Sequence, residues 1–462
     1  MSASTTKVEP SPSGTGVKPK TPQKQPQEVV APPGLKALLA HCTKTYPEQK
    51  NPLQITTRIK YWLGGQDPLD YISMYFNKGD EENGIPPHWH YISFGMSDLH
   101  GDERVHLIDK MKIEEKKSSG MGFEMTFRLV IKDFKDGGKL KLPPPTWPAT
   151  LLQNLARYCF QTGNRLCPGD NIPWKKPLNA SSTSVFPSRM SNILIGEDAQ
   201  LGKVDTPLGT VEYCQIVGVT QDEIDQASRW NGKGILNFLK KDVKTGGSFL
   251  ITDMDRTESV FQLFPECYTE IENDLKSQGS ELAGINAGFT FKEILKPKPE
   301  GDSEKPEEKM VLESLRSLTL SSVSASLNSY IKDTPLDRAV HLDGIEITFA
   351  PCAVDYLTLA LRDRIRHGKH FTFKSDRMAL TFVAEGVSGS AVTKDHRYGV
   401  LGYWIQVLIT PDLMAKMLRD FEGKLNTKED IKKEFYWEEE NLRIVVDTKI
   451  PSVFSSSFIK RW

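Results

Sequence analysis

The stretch Ile85 to His106, IPPHWHYISFGMSDLHGDERVH, carries four of the nine histidines in this 462-residue chain. His88 and His90 lie two apart, so in a strand both imidazoles point to one face. Two histidines on one face are half of a zinc site, and His100, Asp102 or His106 would supply a third ligand. That arrangement would make the protein a metal-dependent enzyme. The same face continues through Ile92, Phe94 and Met96, which are apolar. The competing reading is therefore a core strand with hydrogen-bonded histidines, followed by a turn at SDLHGDER. No HExxH, CxxC or paired-aspartate motif accompanies the histidines, so the sequence assigns them to the fold, with the metal enzyme as the alternative.

Other stretches that suggest chemistry fail on spacing. In GVSGSAV, Gly386 stands two residues before Ser388, but Ser390 occupies the place of the second glycine that a nucleophile elbow needs. YWLGGQDPLDY has turn chemistry and lacks the glycine spacing and Lys-Ser/Thr of a phosphate loop. RDRIRHGKHF, Arg362 to Phe371, is a small basic patch. It reads as a hairpin in which RHGKH turns the chain and HFTFKS returns it, too local for a nucleic-acid footprint. No catalytic residue, cofactor site or metal site is assigned.

The surrounding elements are legible from periodicity. Leu35, Leu38, Leu39 and Cys42 make a short amphipathic helix. WPATLLQNLARYCFQTG is the clearest helix, with Pro148 in its first turn, a stripe of Leu151, Leu152, Leu155, Tyr158 and Cys159, and Gly163 as its stop. Thr220 and Glu223 have capping-box spacing. Thr410 caps a helix with Pro411 in its first turn and Gly423 after its end. Strands are predicted at GFEMTFRLVIK, GTVEYCQIVGV, GIEITFA, MALTFVAEG, GYWIQVLIT and NLRIVVD. Strands and helices mix without a βαβ rhythm, which predicts an α+β fold.

Apolar residues make up 38% of the chain and the net charge is −1. The apolar share predicts that some of the chain does not fold, and the charge balance argues against direct nucleic-acid or membrane-surface binding. Residues 1–31 are poor in large apolar side chains and carry no apolar h-region, so they read as a disordered tail and not a secretion signal. Six cysteines (Cys42, Cys159, Cys167, Cys214, Cys267, Cys352) are scattered, which suits a reduced, intracellular protein. Residues 296–335 open with charge and proline and turn serine-rich, like a disordered insertion. The boundaries predicted are a first lobe at 32–276, a second at 277–295 and 336–450, and a tail at 451–462. ELAGINAGFTFKEIL has strand character and is expected to pair with strands beyond the insertion. Within the serine-rich run Ser321, Ser322 and Ser324 are candidate phosphorylation positions, with unmodified linker as the other reading.

Seven blocks in order resemble the Suppressor of fused family: PPGLKALLAHCTKTYPEQKNPLQ, KYWLGGQDPLDYISMY, IPPHWHYISFGMSDLHGDERVH, PPTWPATLLQNLARYCFQTGN, QIVGVTQDEIDQASRWNGKGIL, LITDM and RHGKHFTFKS. The resemblance runs from about Pro32 to the YWEEENLRI strand. It implies a non-enzymatic negative regulator of Hedgehog signalling, cytoplasmic and nuclear, that sequesters Gli/Cubitus interruptus-type transcription factors. The Fused kinase and other pathway components are further implied partners. It implies two lobes with a groove between them, where an extended peptide with a Ser-Tyr-Gly-His core adds a strand to both sheets. The groove residues carried over are Tyr158, Asp170 and Glu197, with Asp198 expected to matter less than Glu197. In the second lobe YLTLALRDRI, Tyr356 to Ile365, is expected to be the contributing strand, with Leu359 and Leu361 in contact with the peptide. A relative of bacterial single-lobe proteins with a different binding role is the remaining alternative.

Overall fold

The computed structural model describes residues 31–101, 118–132, 143–179, 187–295, 339–376, 378–425 and 432–451. The predicted tails apart from Ala31 and Pro451, the 296–335 insertion, Ser321, Ser322, Ser324, Asp102 and His106 lie outside the described residues. So does Arg377.

The first half builds one large mixed sheet. Strands β1 (Leu53–Thr56), β2 (Tyr71–Asn77), β3 (His88–Phe94) and β4 (Ser118–Val130) run antiparallel in sequence. β4 then pairs in parallel with β8 (Gly209–Val219), and β6 (Asn192–Glu197) and the two-residue β5 (Asn171–Ile172) complete the order β1-β2-β3-β4-β8-β6-β5. β7 (Lys203–Thr206) forms a hairpin with β8. Alternation sets the two faces of β4. Phe123, Met125, Phe127 and Leu129 join Trp89, Tyr91 and the stripe of α2 (Trp147–Thr162) in one core. The opposite face packs on α1 (Pro33–Thr45) through Leu38, Cys42, Ile92 and Phe94. Helices α3 (Gln221–Arg229), α4 (Gly232–Leu239), α5 (Val260–Leu263) and α6 (Glu266–Ser277) bury a third cluster against β6 and β8.

The predicted helix signals act as expected. Glu223 reaches back to the Thr220 N–H, which donates to it at 2.9 Å, and Gly163 ends α2 at φ 76°. Trp230 lies against Gly234, where any Cβ would meet the indole ring at 2.1 Å, so only glycine fits there.

The second half has its own core, from Leu282 to Val446, and no residue of it belongs to the clusters above. Strands β10 (Phe289–Glu293), β12 (Ile345–Phe349), β18 (Leu442–Val446) and β17 (Lys433–Trp437) form one sheet. β11 (Val340–His341), β15 (Tyr398–Leu401), β16 (Trp404–Ile409), β14 (Ala379–Ala384), β13 (His370–Lys374) and β9 (Gly284–Asn286) form another, in that order. α7 (Val354–Leu359) and α8 (Pro411–Phe421) share one core with both sheets; Thr410 Oγ1 caps α8 by accepting the Leu413 N–H. β9 and β10 pair with β13 and β12, so strands on both sides of residues 296–338 share sheets.

One expectation fails here. The segment Tyr356 to Ile365 is not a strand. α7 runs into a π turn at Ala360–Arg364 and a 3₁₀ turn at Ile365–His367, ended by Gly368 at φ 68°. Leu357, Leu359 and Leu361 alternate as in a strand, but Val354, Leu357 and Leu361 also keep helical spacing. The π turn lets both Leu359 and Leu361 bury, at 6% and 0% exposure. The RHGKH turn therefore joins a helix to β13, not two strands.

Candidate functional site

His88 and His90 lie on β3, which is buried on both faces because α1 and α2 cover the sheet. Register puts His90 opposite Arg128 of β4, so Arg128, the largest fully buried side chain, shares their face. Its Nη2 donates to both oxygens of Asp198 (2.9 and 3.0 Å), its Nε to Gln215 Oε1 (3.3 Å), and its Nη1 to Gln200 Oε1 (2.9 Å) and His88 Nε2 (2.8 Å). Phe249 closes one side, with its ring 5.0 Å from the guanidinium carbon.

These partners fix the tautomers. His88 Nδ1 lies 2.8 Å from the Pro86 carbonyl, so it donates there and leaves Nε2 to accept from Arg128. His90 Nδ1 lies 2.8 Å from the Tyr46 hydroxyl of the α1 C-terminus. Its Nε2 lies 2.9 Å from Asp198 Oδ2, off the line of a good hydrogen bond but close enough to be held by that charge. Burial, with the Arg128 charge beside it, lowers the His88 pKa to about 3 and the His90 pKa to about 4. Burial alone raises the Asp198 carboxyl, but His90 and Arg128 outweigh it and hold it well below the ordinary range. Arg128 is the permanent cation of the cluster, Asp198 its anion, and both imidazoles are neutral at pH 7.

His88 thus has no lone pair left for a metal, and His90 Nδ1 accepts from Tyr46. His100 belongs to another contact, 3.4 Å from Asp70. Among the described residues no three His, Cys, Asp or Glu side chains are grouped to hold an ion. A second buried acid, Glu124, accepts from Ser93 Oγ and Ser97 Oγ (both 2.6 Å) and from the Gly95 and Ser97 N–H groups (both 3.0 Å). Burial raises its pKa against those donors.

Arg128 and Glu124 were missed by the sequence reading, and Asp198, named there only as the lesser neighbour of Glu197, has a structural role. It is 2% exposed and holds Arg128, while its neighbour Glu197 is exposed at the end of β6. Strand alternation would have put Glu124, Thr126 and Arg128 on a solvated face. That face is instead covered by α1, by the turn at Asp198 to Leu201 and by Phe249, none of which the strand pattern reveals.

Of the three groove residues of the first lobe, Asp170 and Glu197 lie at one sheet edge, and Tyr158 lies on α2. The Gly169 N–H donates to Ile195 O (2.8 Å), and the Ile195 N–H to Asp170 O (2.9 Å), so Asp170 lies across from β6 two residues before Glu197. Both side chains are exposed. Asp170 Oδ2 also accepts the Cys167 N–H at 2.7 Å, so it shapes its own turn, with Gly169 at φ 103°. Tyr158 is half-buried against the α2 core, and its hydroxyl accepts from Asn164 Nδ2 at 2.6 Å, at the start of the segment leading to Asp170. Leu359 and Leu361 lie in the second core, and neither is on a sheet edge.

The two lobes touch beside this edge. Ser228 Oγ of α3 donates to Asn171 Oδ1 of β5 (3.2 Å). At the end of the same helix, Arg229 O accepts from Ser280 Oγ (2.6 Å) and Trp230 O from the Glu281 N–H (3.0 Å). The Ser280 N–H donates to Asp363 O (2.8 Å), and Arg364 Nη1 donates to Ser280 O (2.8 Å). Ser280 leads directly into β9. β5 therefore contacts α3, and the residues that precede β9 bond the end of the same helix.

These features define a two-lobed α+β protein whose buried histidines serve the fold and whose lobes are bonded through the end of α3 and the segment ahead of β9. Residues 65–257 match the model of the Suppressor of fused protein, and residues 269–446 match the Suppressor of Fused Gli/Ci N terminal binding domain. The Suppressor of fused homologs of Homo sapiens and Mus musculus are each 38% identical to the chain over 458 residues, covering 89% of it and 91% of the relative. The crystal structure of Drosophila Suppressor of Fused matches with a TM-score of 0.77 at 51% identity, covering 90% of this chain and 97% of that one. The chain belongs to the Suppressor of fused family.

Proposed function

We propose that the protein is a non-enzymatic negative regulator of Hedgehog signalling that clamps an extended Ser-Tyr-Gly-His peptide of a Gli/Cubitus interruptus-type factor between its lobes. The observation that carries this reading is the pair of terminal strands, β5 and β9, at the lobe junction. Among the described residues each ends its sheet and leaves its outer backbone edge to an added strand. The match of residues 269–446 to a Gli/Ci-binding domain supports the same reading. In place of Tyr356 to Ile365, β9 is the second-lobe edge suited to the role. Asp170 and Glu197 would face the peptide histidine, and Tyr158 would line the first-lobe wall. Retention of the factor in the cytoplasm and its damping in the nucleus follow from the same complex. The resemblance extends the proposal to the Fused kinase as a second partner, tested by co-precipitation with peptide-blocked protein. The direct test is titration of the full chain with a Ser-Tyr-Gly-His peptide and with one whose histidine is alanine. Equal affinity for the two would overturn the reading.

A further inference from the structure

The proposed peptide edge carries opposite charge in the two lobes. On the first lobe it offers Asp170 and Glu197. On the second, β9 pairs in parallel with β13 in the register Thr372↔Gly284, Phe373↔Ile285 and Lys374↔Asn286. Phe371 and Phe373 alternate into the core, so Lys374 stands out beside the last residue of β9. At the other end, Lys369 Nζ donates to Gln278 O at 3.1 Å, just before the chain enters β9. Arg366 is exposed in the turn before β13, and Lys276 is exposed in the last turn of α6. None of these four cations has an ion-pair partner among the described residues. The exposed carboxylates of the strip are Glu281 and Asp376, so cations are two in excess. The adjacent Arg362 is neutralised by Asp363 at 2.6 and 2.8 Å.

We propose that this strip recognises acidic residues flanking the core of the bound peptide, on both sides of the segment that pairs with β9. The inference rests on the peptide-clamp reading above. A three-residue strand spans roughly 10 Å, so a peptide paired with β9 carries its flanking residues past cations at both ends. The first-lobe edge then favours the peptide histidine, and the second-lobe edge favours carboxylates or phosphoserines beside it. Such charges act through a partly exposed surface and are screened by salt.

The test uses the full chain and three labelled peptides with one Ser-Tyr-Gly-His core, flanked by Gly/Ser, by glutamates or by lysines. Anisotropy titrations at low salt should show the glutamate-flanked peptide binding about ten-fold tighter than the Gly/Ser one, with the advantage shrinking in 0.5 M salt, roughly the range expected for several exposed charge pairs. The double variant Lys369→Glu/Lys374→Glu should lose that advantage and keep its affinity for the Gly/Ser peptide. Lys276→Glu/Arg366→Glu repeats the measurement should the first variant melt early. Equal affinity for glutamate and Gly/Ser flanks, or an advantage that survives in the folded variants, overturns the inference and leaves the clamp intact. If the Gly/Ser peptide fails to bind the unmodified chain, the clamp reading falls and this inference with it.

Discussion

Acidification from pH 7 to pH 5 should cost this protein about 2–4 kcal/mol of folding stability, and the loss should trace to two side chains. His88 and His90 are both 0% exposed, with pKa values lowered to about 3 and about 4. In the unfolded chain each titrates near 6.5. The folded values lie below the unfolded ones, so between these limits the unfolded chain holds more protons. The stability is complete above pH 6.5 and declines as pH falls through the window from 6.5 to about 4. One proton per histidine gives a slope of about 1.4 kcal/mol per pH unit each, so 1.5 units below 6.5 give roughly 4 kcal/mol for the pair as an upper figure. Glu124 opposes this by at most one proton, because its pKa is raised and the folded state binds that proton more readily. Asp198, held well below the ordinary range, stays ionised in the folded state across this window. Urea unfolding followed by tryptophan fluorescence at pH 7.5, 6.5, 5.5 and 5.0 measures the slope. The double variant His88→Gln/His90→Gln should be less stable at pH 7.5 and much flatter in pH. A flat profile for the unmodified chain, or an equal slope in the variant, would refute the assignment of two buried neutral histidines.

The neighbours Glu197 and Asp198 should behave oppositely. Asp198→Arg leaves Arg128 buried without its anion and should destabilise by about 3–5 kcal/mol or prevent folding, whereas Glu197→Arg should leave the melting temperature nearly unchanged and weaken peptide binding. Leu361→Ala should cost about 2–5 kcal/mol in urea unfolding, with the folded fraction binding peptide normally, because the side chain lies in the core; weakened binding at full stability would return it to the groove. Deleting residues 299–322 should change stability little, since loop-closure entropy varies slowly with length; failure to fold would show that the segment packs.

Much of the fold was legible because local signals agreed with the packing. The Thr220–Glu223 and Thr410 caps, the α2 stripe and the alternation of β4, β8 and β18 each sit where period and caps put them. The bond between the Ser-rich insertion's two flanks was also readable, since ELAGINAGFTFKEIL does pair with β13 and β12. What stayed hidden depends on contacts far apart in sequence. Arg128 and Asp198 are 70 residues apart, and their pairing follows from the β4-β8-β6 strand order, which brings the end of β6 beside β4 across β8. Tyr356 to Ile365 carries both strand and helix periods, and only the surrounding core chooses between them. The groove residues were supplied by family resemblance. Spacing alone shows Asp170 as a turn residue, which it also is.

The central claim is the peptide clamp, and calorimetry of Asp170 variants against a Ser-Tyr-Gly-His peptide tests it most directly. Asp170→Asn keeps an oxygen to accept the Cys167 N–H and removes the charge, so it separates the turn from the binding role. A peptide clamp predicts one peptide per chain, unchanged melting for Asp170→Asn, and weaker binding for it. Asp170→Arg should lose about thirty-fold or more, the consequence of roughly 2–5 kcal/mol for a partner left unpaired. Folded variants that bind the peptide as tightly as the unmodified chain would contradict the account.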